Sequence, residues 1–153
     1  MSLNIDTALE NHLKGIYEIS DWVDEKVRER VTKALDALKT INKGQVWAGQ
    51  CAPEGPKGSY QTIFPISDPP DNKRLGTPSP RYQVDCYSPS YSDAREMANL
   101  TYSALEGFYG WMGGASGIMV ECGIYQDTGY DCEKDTKPAK HHFWVDVVIT
   151  YYS

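Results

Sequence analysis

Apolar residues recur at two different spacings along the chain, and each spacing predicts one kind of element. At residues 6–16 they lie three or four positions apart, which predicts a helix, and Thr7 with Glu10 fits a capping box at its start. The same spacing at residues 23–39, with charged residues on the opposite side, indicates an amphipathic surface helix of about five turns. The chain is therefore predicted to begin with two helices, the second one capped by Ser20 or Asp21.

Three strands are predicted next, from a change to alternating apolar and polar residues. Residues 45–51 form a short strand, and residues 60–67 form a longer one that Pro65 places at its end or at a sheet edge. Residues 81–87 give the clearest alternation. The connection at residues 67–80 is long and rich in proline. A connection of this length in a compact domain is usually functional or mobile, and a plain disordered connector is the alternative.

The second half of the chain is predicted to hold one helix and two strands. Ser90 and Asp93 fit another capping box, and an apolar stripe with small residues beside it continues to Phe108. Alternation returns at residues 118–125 and again at residues 142–152, with a second long polar segment between them.

The order of elements defines the fold class. Two helices, three strands, one helix and two strands are not the regular alternation of a parallel α/β fold. We expect a single α+β domain over residues 1–153, with a mainly antiparallel sheet of four or five strands and helices packed on one face.

The composition is that of a folded domain and limits the classes of partner. Of the 153 residues, 41% are hydrophobic and 24% charged, and no apolar run approaches the roughly 20 residues that span a bilayer. The N-terminus lacks the pattern of a signal peptide. A formal net charge of −6 without a basic patch argues against binding nucleic acid through its phosphates. We expect a soluble intracellular protein that binds neither membrane nor specific nucleic acid.

The four cysteines do not form a metal-binding pattern. None lies in a C-x-x-C pair, and Cys86 and Cys122 sit inside apolar strands, as buried free thiols do. A disulfide between Cys51 and Cys132 stays open as an alternative.

Candidate catalytic groups are few. The near match to a nucleophile elbow at residues 114–117 lacks the final spacing and joins a helix to a strand, the reverse of the required order. Adjacent His141 and His142 point to opposite faces of a strand and cannot easily share one metal ion. We expect no enzyme and no cofactor; an unrecognised site around Asp146, His141 and Glu121 is the third-ranked alternative.

Three segments together resemble a known family. They are Val46-Trp47 leading to Ala52-Pro53-Glu54-Gly55 and the strand at 60–67; the strand at 81–87 followed by Tyr91-Ser92-Asp93-Ala94; and Thr128-Gly129-Tyr130-Asp131, Asp135 and a closing strand that ends Val148-Ile149-Thr150-Tyr151. In this order and spacing they resemble the tail terminator, or tail completion, proteins of long-tailed bacteriophages and prophages.

The resemblance implies a structural role in virion assembly. It implies a subunit of a ring, expected to be a homohexamer, that caps the tail tube, ends its elongation and offers a surface for head attachment. The implied partners are other copies of the chain, the tail tube protein and head–tail connector proteins. The implied location is the virion tail, after assembly in the host bacterial cytoplasm. The helix at 23–39 and the connection at 67–80 are longer than the family pattern, which leaves ring size and docking partner open.

Interface residues are expected in the two long polar connections and at the C-terminal strand end, where an exposed aromatic side chain can anchor a partner. They are Asp71, Lys73, Arg74, Asp131, Lys134 and Tyr151. The alternative function is a small-ligand or peptide-binding module, with Trp111, Trp144 and tyrosines around a cleft.

Overall fold

A computed structural model describes residues 5–48, 58–67, 80–114, 117–133 and 140–152. Three helices and seven strands lie in these ranges. In chain order they are α1 (Ile5–Leu13), β1 (Tyr17–Ile19), α2 (Glu25–Asn42), β2 (Val46–Ala48), β3 (Tyr60–Ser67), β4 (Arg81–Ser88), α3 (Tyr91–Leu105), β5 (Tyr109–Met112), β6 (Ile118–Glu133) and β7 (Lys140–Tyr152). No helix in the described ranges is both long and apolar enough to cross a membrane.

All seven strands belong to one sheet. Their order is β1-β5-β6-β7-β4-β3-β2, and every neighbouring pair is antiparallel except β2 with β3. The α+β class and the mainly antiparallel sheet are confirmed, but the prediction of four or five strands is wrong. The two strands without a predicted counterpart are β1 and β5, which have three and four residues and are too short to show alternation.

Strand β6 is longer than the sequence pattern predicts. It continues through residues 126–133, which we expected to be a polar connection, and pairs there with the first half of β7. The register shifts between Ile124 and Gln126 and again between Gln126 and Gly129. Such irregularities interrupt the two-residue period, so the alternation at the start of the strand does not carry through to its end.

Two of the predicted helix starts are corrected. Helix α2 is capped by Asp24, whose side chain accepts a hydrogen bond from the Lys26 backbone N–H, and not by Ser20 or Asp21. Helix α1 already begins at Ile5, so Thr7 and Glu10 lie inside it and form no capping box. The Glu10 carboxylate instead accepts a hydrogen bond of 2.8 Å from the backbone N–H of Ala48 in β2.

Helix α3 begins as predicted. Ser90 is its N-cap, and the Ser90 hydroxyl accepts a hydrogen bond of 3.3 Å from the Asp93 backbone N–H. The helix contacts β4, β6 and β7 and packs against α2. Its buried side includes Met97, Thr101 and Leu105, which extends the apolar core between the sheet and the helices.

A buried polar group links the helices to the inner side of the sheet. The Asn42 amide of α2 donates to Gln61 Oε1 of β3 (2.9 Å), and Gln61 Nε2 donates to Thr101 Oγ1 of α3 (2.8 Å) and contacts Cys86 Sγ of β4 (3.2 Å). We call Asn42, Gln61, Cys86 and Thr101 the core network. All four side chains are buried, and their bonds join four elements that are distant in sequence.

The buried thiols agree with the sequence prediction. Cys86 and Cys122 are free and buried. Burial raises the pKa of the Cys86 thiol to about 12, and burial also raises the pKa of Cys122. Cys132 is a third free thiol, so it forms no disulfide with Cys51, which lies outside the described residues.

Candidate functional site

The side of the sheet that faces away from the core network carries a charged cluster. Side chains alternate along a strand, so on β4 Val84 and Cys86 face inward while Arg81, Gln83 and Asp85 face the other way, toward what we call the outer face. Across the sheet, Gln83 lies opposite Asp146 of β7. Polar residues of two neighbouring strands are therefore brought into contact on the outer face.

A histidine–carboxylate contact and an arginine–carboxylate ion pair form this cluster. His142 Nε2 lies 2.6 Å from Asp85 Oδ1, and Arg81 Nη2 donates to Asp146 Oδ2 at 3.3 Å. We call Arg81, Asp85, His142 and Asp146 the outer-face cluster. Asp85 and Asp146 are only 2% and 4% exposed. Burial raises the pKa of the Asp146 carboxyl; the Arg81 guanidinium opposes this shift and the Asp85 carboxylate adds to it.

Aromatic rings continue the outer face across four strands. The neighbouring ring centroids of Trp47, Tyr60, Tyr87, His142 and Trp144 lie 6.1, 5.0, 4.3 and 5.0 Å apart. The rings of Tyr60, Tyr87 and His142 are stacked, and the Lys140 ammonium lies 5.2 Å from the centroid of the Tyr60 ring. The outer face thus carries a row of neighbouring aromatic rings, and the Asp85 carboxylate contacts the His142 ring in this row.

The alternative catalytic set does not converge. Asp146 pairs with Arg81, and His141 lies five positions away on β7, which directs it to the other side of the sheet. Glu121 lies opposite Thr150, four positions from Asp146 or roughly 13 Å along the strand. These three side chains therefore form no common site. Within the described ranges, no three His, Cys, Asp or Glu side chains are grouped to hold a metal ion.

The predicted interface residues fall in separate places. Asp71, Lys73, Arg74 and Lys134 lie outside the described residues. Asp131 belongs to β6, not to a loop as predicted; it is exposed and lies opposite His142. Tyr151 of β7 is half-buried, lies opposite Val120 and packs against the core. Tyr151 lies nine positions after His142, the partner of Asp131, on β7. Asp131 and Tyr151 are therefore roughly 30 Å apart along the strand direction.

The aromatic cleft of the alternative function is not formed by Trp111 and Trp144. Trp111 lies opposite Met119, which in turn lies opposite Tyr152, eight positions from Trp144. The two tryptophans are therefore roughly 26 Å apart along the strand direction.

An exposed aromatic residue that the sequence reasoning missed is Trp22, with 89% of its surface accessible. It borders a shallow groove of about 280 Å³, which we call the edge groove; the lining residues are Trp22, Val23, Asp24, Val27, Gly107 and Tyr109. The sequence feature that could have indicated its exposure is its position among polar residues in the short connection between β1 and α2.

Comparison with known proteins adds a structural likeness. No family model matches the chain, and no curated protein matches it. The fold, an α+β domain with one seven-stranded sheet, resembles that of a chain in the solved structure described as "Virion of native gene transfer agent (GTA) particle". The match covers 97% of this chain and 95% of that one, with a TM-score of 0.53 and 13% sequence identity. At this identity the likeness is one of fold.

Proposed function

We propose that this chain is a structural protein of virion assembly that acts as a tail terminator. The observation that carries the proposal is the fold likeness to a chain of a gene transfer agent virion, which covers nearly the whole of both chains. The three sequence segments described above, which resemble tail terminators in order and spacing, support the same function independently of that likeness.

In this proposal, copies of the chain form a homohexameric ring that caps the tail tube, ends its elongation and presents a surface to head–tail connector proteins. The protein is then located in the virion tail after assembly in the bacterial cytoplasm. The proposal assigns it no catalytic activity and no cofactor. The pairing of Asp85 with His142 and of Arg81 with Asp146 is consistent with a structural use of these groups.

Deletion of the gene from the phage or prophage that encodes it tests the function. We expect particles with overlong tails and unattached heads, and we expect the intact gene supplied in trans to restore both tail length and head attachment. Negatively stained particles with tails of normal length and attached heads would refute the proposal.

A further inference from the structure

Strand β1 is an edge strand of the sheet that the described residues form. In the described part of the chain, β1 pairs with β5 alone and is the last strand of the sheet. A backbone hydrogen bond of 2.9 Å from the Ser20 N–H to the Tyr109 carbonyl extends this pairing beyond the strand. A terminal strand presents a row of backbone N–H and C=O groups that can pair with another extended chain.

Exposed aromatic side chains lie beside this edge. Trp22 borders the edge groove together with Tyr109, and Trp111 is two positions from Tyr109 on the same face of β5, with 40% of its surface accessible. Contiguous exposed apolar surface marks interaction sites in proteins, and tryptophan is enriched among the residues that contribute most to binding.

Exposed carboxylates lie beside β1 and the groove, where the nearby Arg28 and Arg30 guanidinium groups donate to the backbone carbonyls of Ser20, Ser103 and Glu106. Residues 15–25 contain no lysine or arginine, and their four acidic residues are all exposed; these are Glu18, Asp21, Asp24 and Glu25. Glu18 lies opposite Trp111 in the β1–β5 pair, so its carboxylate stands beside the exposed indole. This charge favours a partner that carries basic side chains.

The same charge disfavours a second copy of the chain at this edge. Glu18 is the middle residue of β1. If two copies paired antiparallel through β1 with the twofold axis at its middle residue, their Glu18 side chains would lie directly opposite each other, and opposed like charges destabilise a strand pair.

We propose that β1 and the edge groove bind an extended segment of a partner protein in which apolar and basic residues alternate. The segment adds to the sheet as a strand next to β1 and places an apolar side chain against Trp22 and Val23, while its basic side chains face Glu18 and Asp21. This inference goes beyond the virion role and does not depend on it, because it concerns peptide binding by the isolated chain.

Selection from a random library of displayed 12-residue peptides against the purified protein tests the inference. We expect the enriched peptides to alternate apolar residues with Lys or Arg. Fluorescence anisotropy with one such labelled peptide should show binding at least about 10-fold weaker for Trp22→Ala, as at interface hot spots. Tyr91→Ala is the matched control with unchanged binding, because Tyr91 is also an exposed aromatic residue but lies at the opposite end of α3. Circular dichroism checks that both variants fold.

Two further measurements separate the parts of the inference. Glu18→Lys with Asp21→Lys should weaken binding of the basic peptide, and N-methylation of alternate peptide amides should abolish strand addition. Equal binding to wild type and Trp22→Ala, enrichment of acidic peptides, or a dimer of the chain that Trp22→Ala dissolves would each overturn the inference. None of these outcomes depends on tail length, so the virion role is tested separately.

Discussion

The two sides of the sheet carry two buried polar groups of different character. On the inner side, the core network is uncharged and its members bond one another; Thr101 Oγ1 also donates to the Met97 carbonyl, and Asn42 Oδ1 accepts from the Gly44 N–H. On the outer side, the cluster is charged, and buried Asp146 Oδ1 has no hydrogen-bond partner among the described residues.

The two groups differ in what they contribute to the specificity of packing and to the net stability of the fold. A satisfied neutral network fixes which helix meets which strand, because any other packing leaves buried donors or acceptors without partners. A charged cluster with an incompletely bonded carboxylate adds little net stability, since the cost of removing charges from water offsets their attraction. We therefore expect a change that leaves a core-network donor or acceptor unpaired to lower the stability more than an outer-side change that keeps both pairs of the outer-face cluster.

The largest expected effect is a dependence of the free energy of unfolding on pH. It arises from His12, a further buried polar residue, which lies on the inner side of the sheet. His12 is fully buried, its Nε2 lies 3.1 Å from the Ala104 carbonyl, and burial lowers its pKa to about 4. The unfolded chain binds this proton near pH 6.5 and the folded chain near pH 4, so stability falls as the pH drops through this window. The loss is about 3 kcal/mol.

Urea unfolding at pH 7 and pH 4.5 measures this dependence. His12→Gln keeps a donor for the Ala104 carbonyl but does not titrate, so its free energy of unfolding should vary less with pH than that of the wild type. Parallel pH profiles for the two proteins would contradict the role of His12.

The next largest effect is expected from Gln61→Leu in the core network. The substitution leaves the buried Asn42 amide without its acceptor and should lower the free energy of unfolding by about 2 kcal/mol. The matched control is Gln83→Leu on the outer face, which removes the hydrogen bond of 2.7 Å from Gln83 to Asp85 but leaves the Asp85 carboxylate its contact with His142, so a smaller loss is expected. Chemical denaturation of both variants tests the contrast, and an equal or larger loss for Gln83→Leu would break it.

A smaller effect is expected from Asp146→Asn in the outer-face cluster. Burial raises the pKa of this carboxyl above its value in the unfolded chain, so the folded state holds the proton more tightly, and protonation stabilises the fold as the pH falls toward 3.8. The asparagine variant lacks this contribution. As the pH falls from 7 to 4, the free energy of unfolding of the wild type should rise relative to that of the variant, by less than about 1 kcal/mol. A relative loss would show that Asp146 is stabilised as the charged form.

The smallest effect on stability is expected from reversing the charges of Lys73 and Arg74. Because the sequence pattern predicts a polar connection at residues 67–80, Lys73→Glu with Arg74→Glu should change the free energy of unfolding by no more than about 0.5 kcal/mol. The same variant should impair virion assembly, because these residues are predicted to contact tail or head proteins. Unchanged assembly in a complementation assay would count against that contact.

The parts of the fold that follow from local signals were predictable. Ser90 caps α3 through a bond to Asp93, three residues away, and strand β4 shows its alternation within eight residues. Strands β1 and β5 were not predictable, because their pairing depends on contacts across the chain. The role of Glu10 was not predictable for the same reason. Its spacing from Thr7 fits a capping box, but its carboxylate accepts a hydrogen bond from the backbone N–H of Ala48, which is distant in sequence.

The candidate site was predictable only in part. The alternation of β7 correctly directs Trp144 and Asp146 away from the core. Their partners follow from strand register, which places Asp85 beside His142 although 57 positions separate them. The exposure of Trp22 depends on where β1 ends and α2 begins, which the apolar pattern did not show.

A reconstruction by electron cryo-microscopy of the tail end nearest the head is the most direct test of the proposed tail-terminator role. We expect a ring of six copies of this chain, each with its seven-stranded sheet, between the last tail-tube ring and the head–tail connector. Absence of the chain from the purified particles, or its presence only at another position, would contradict the terminator role.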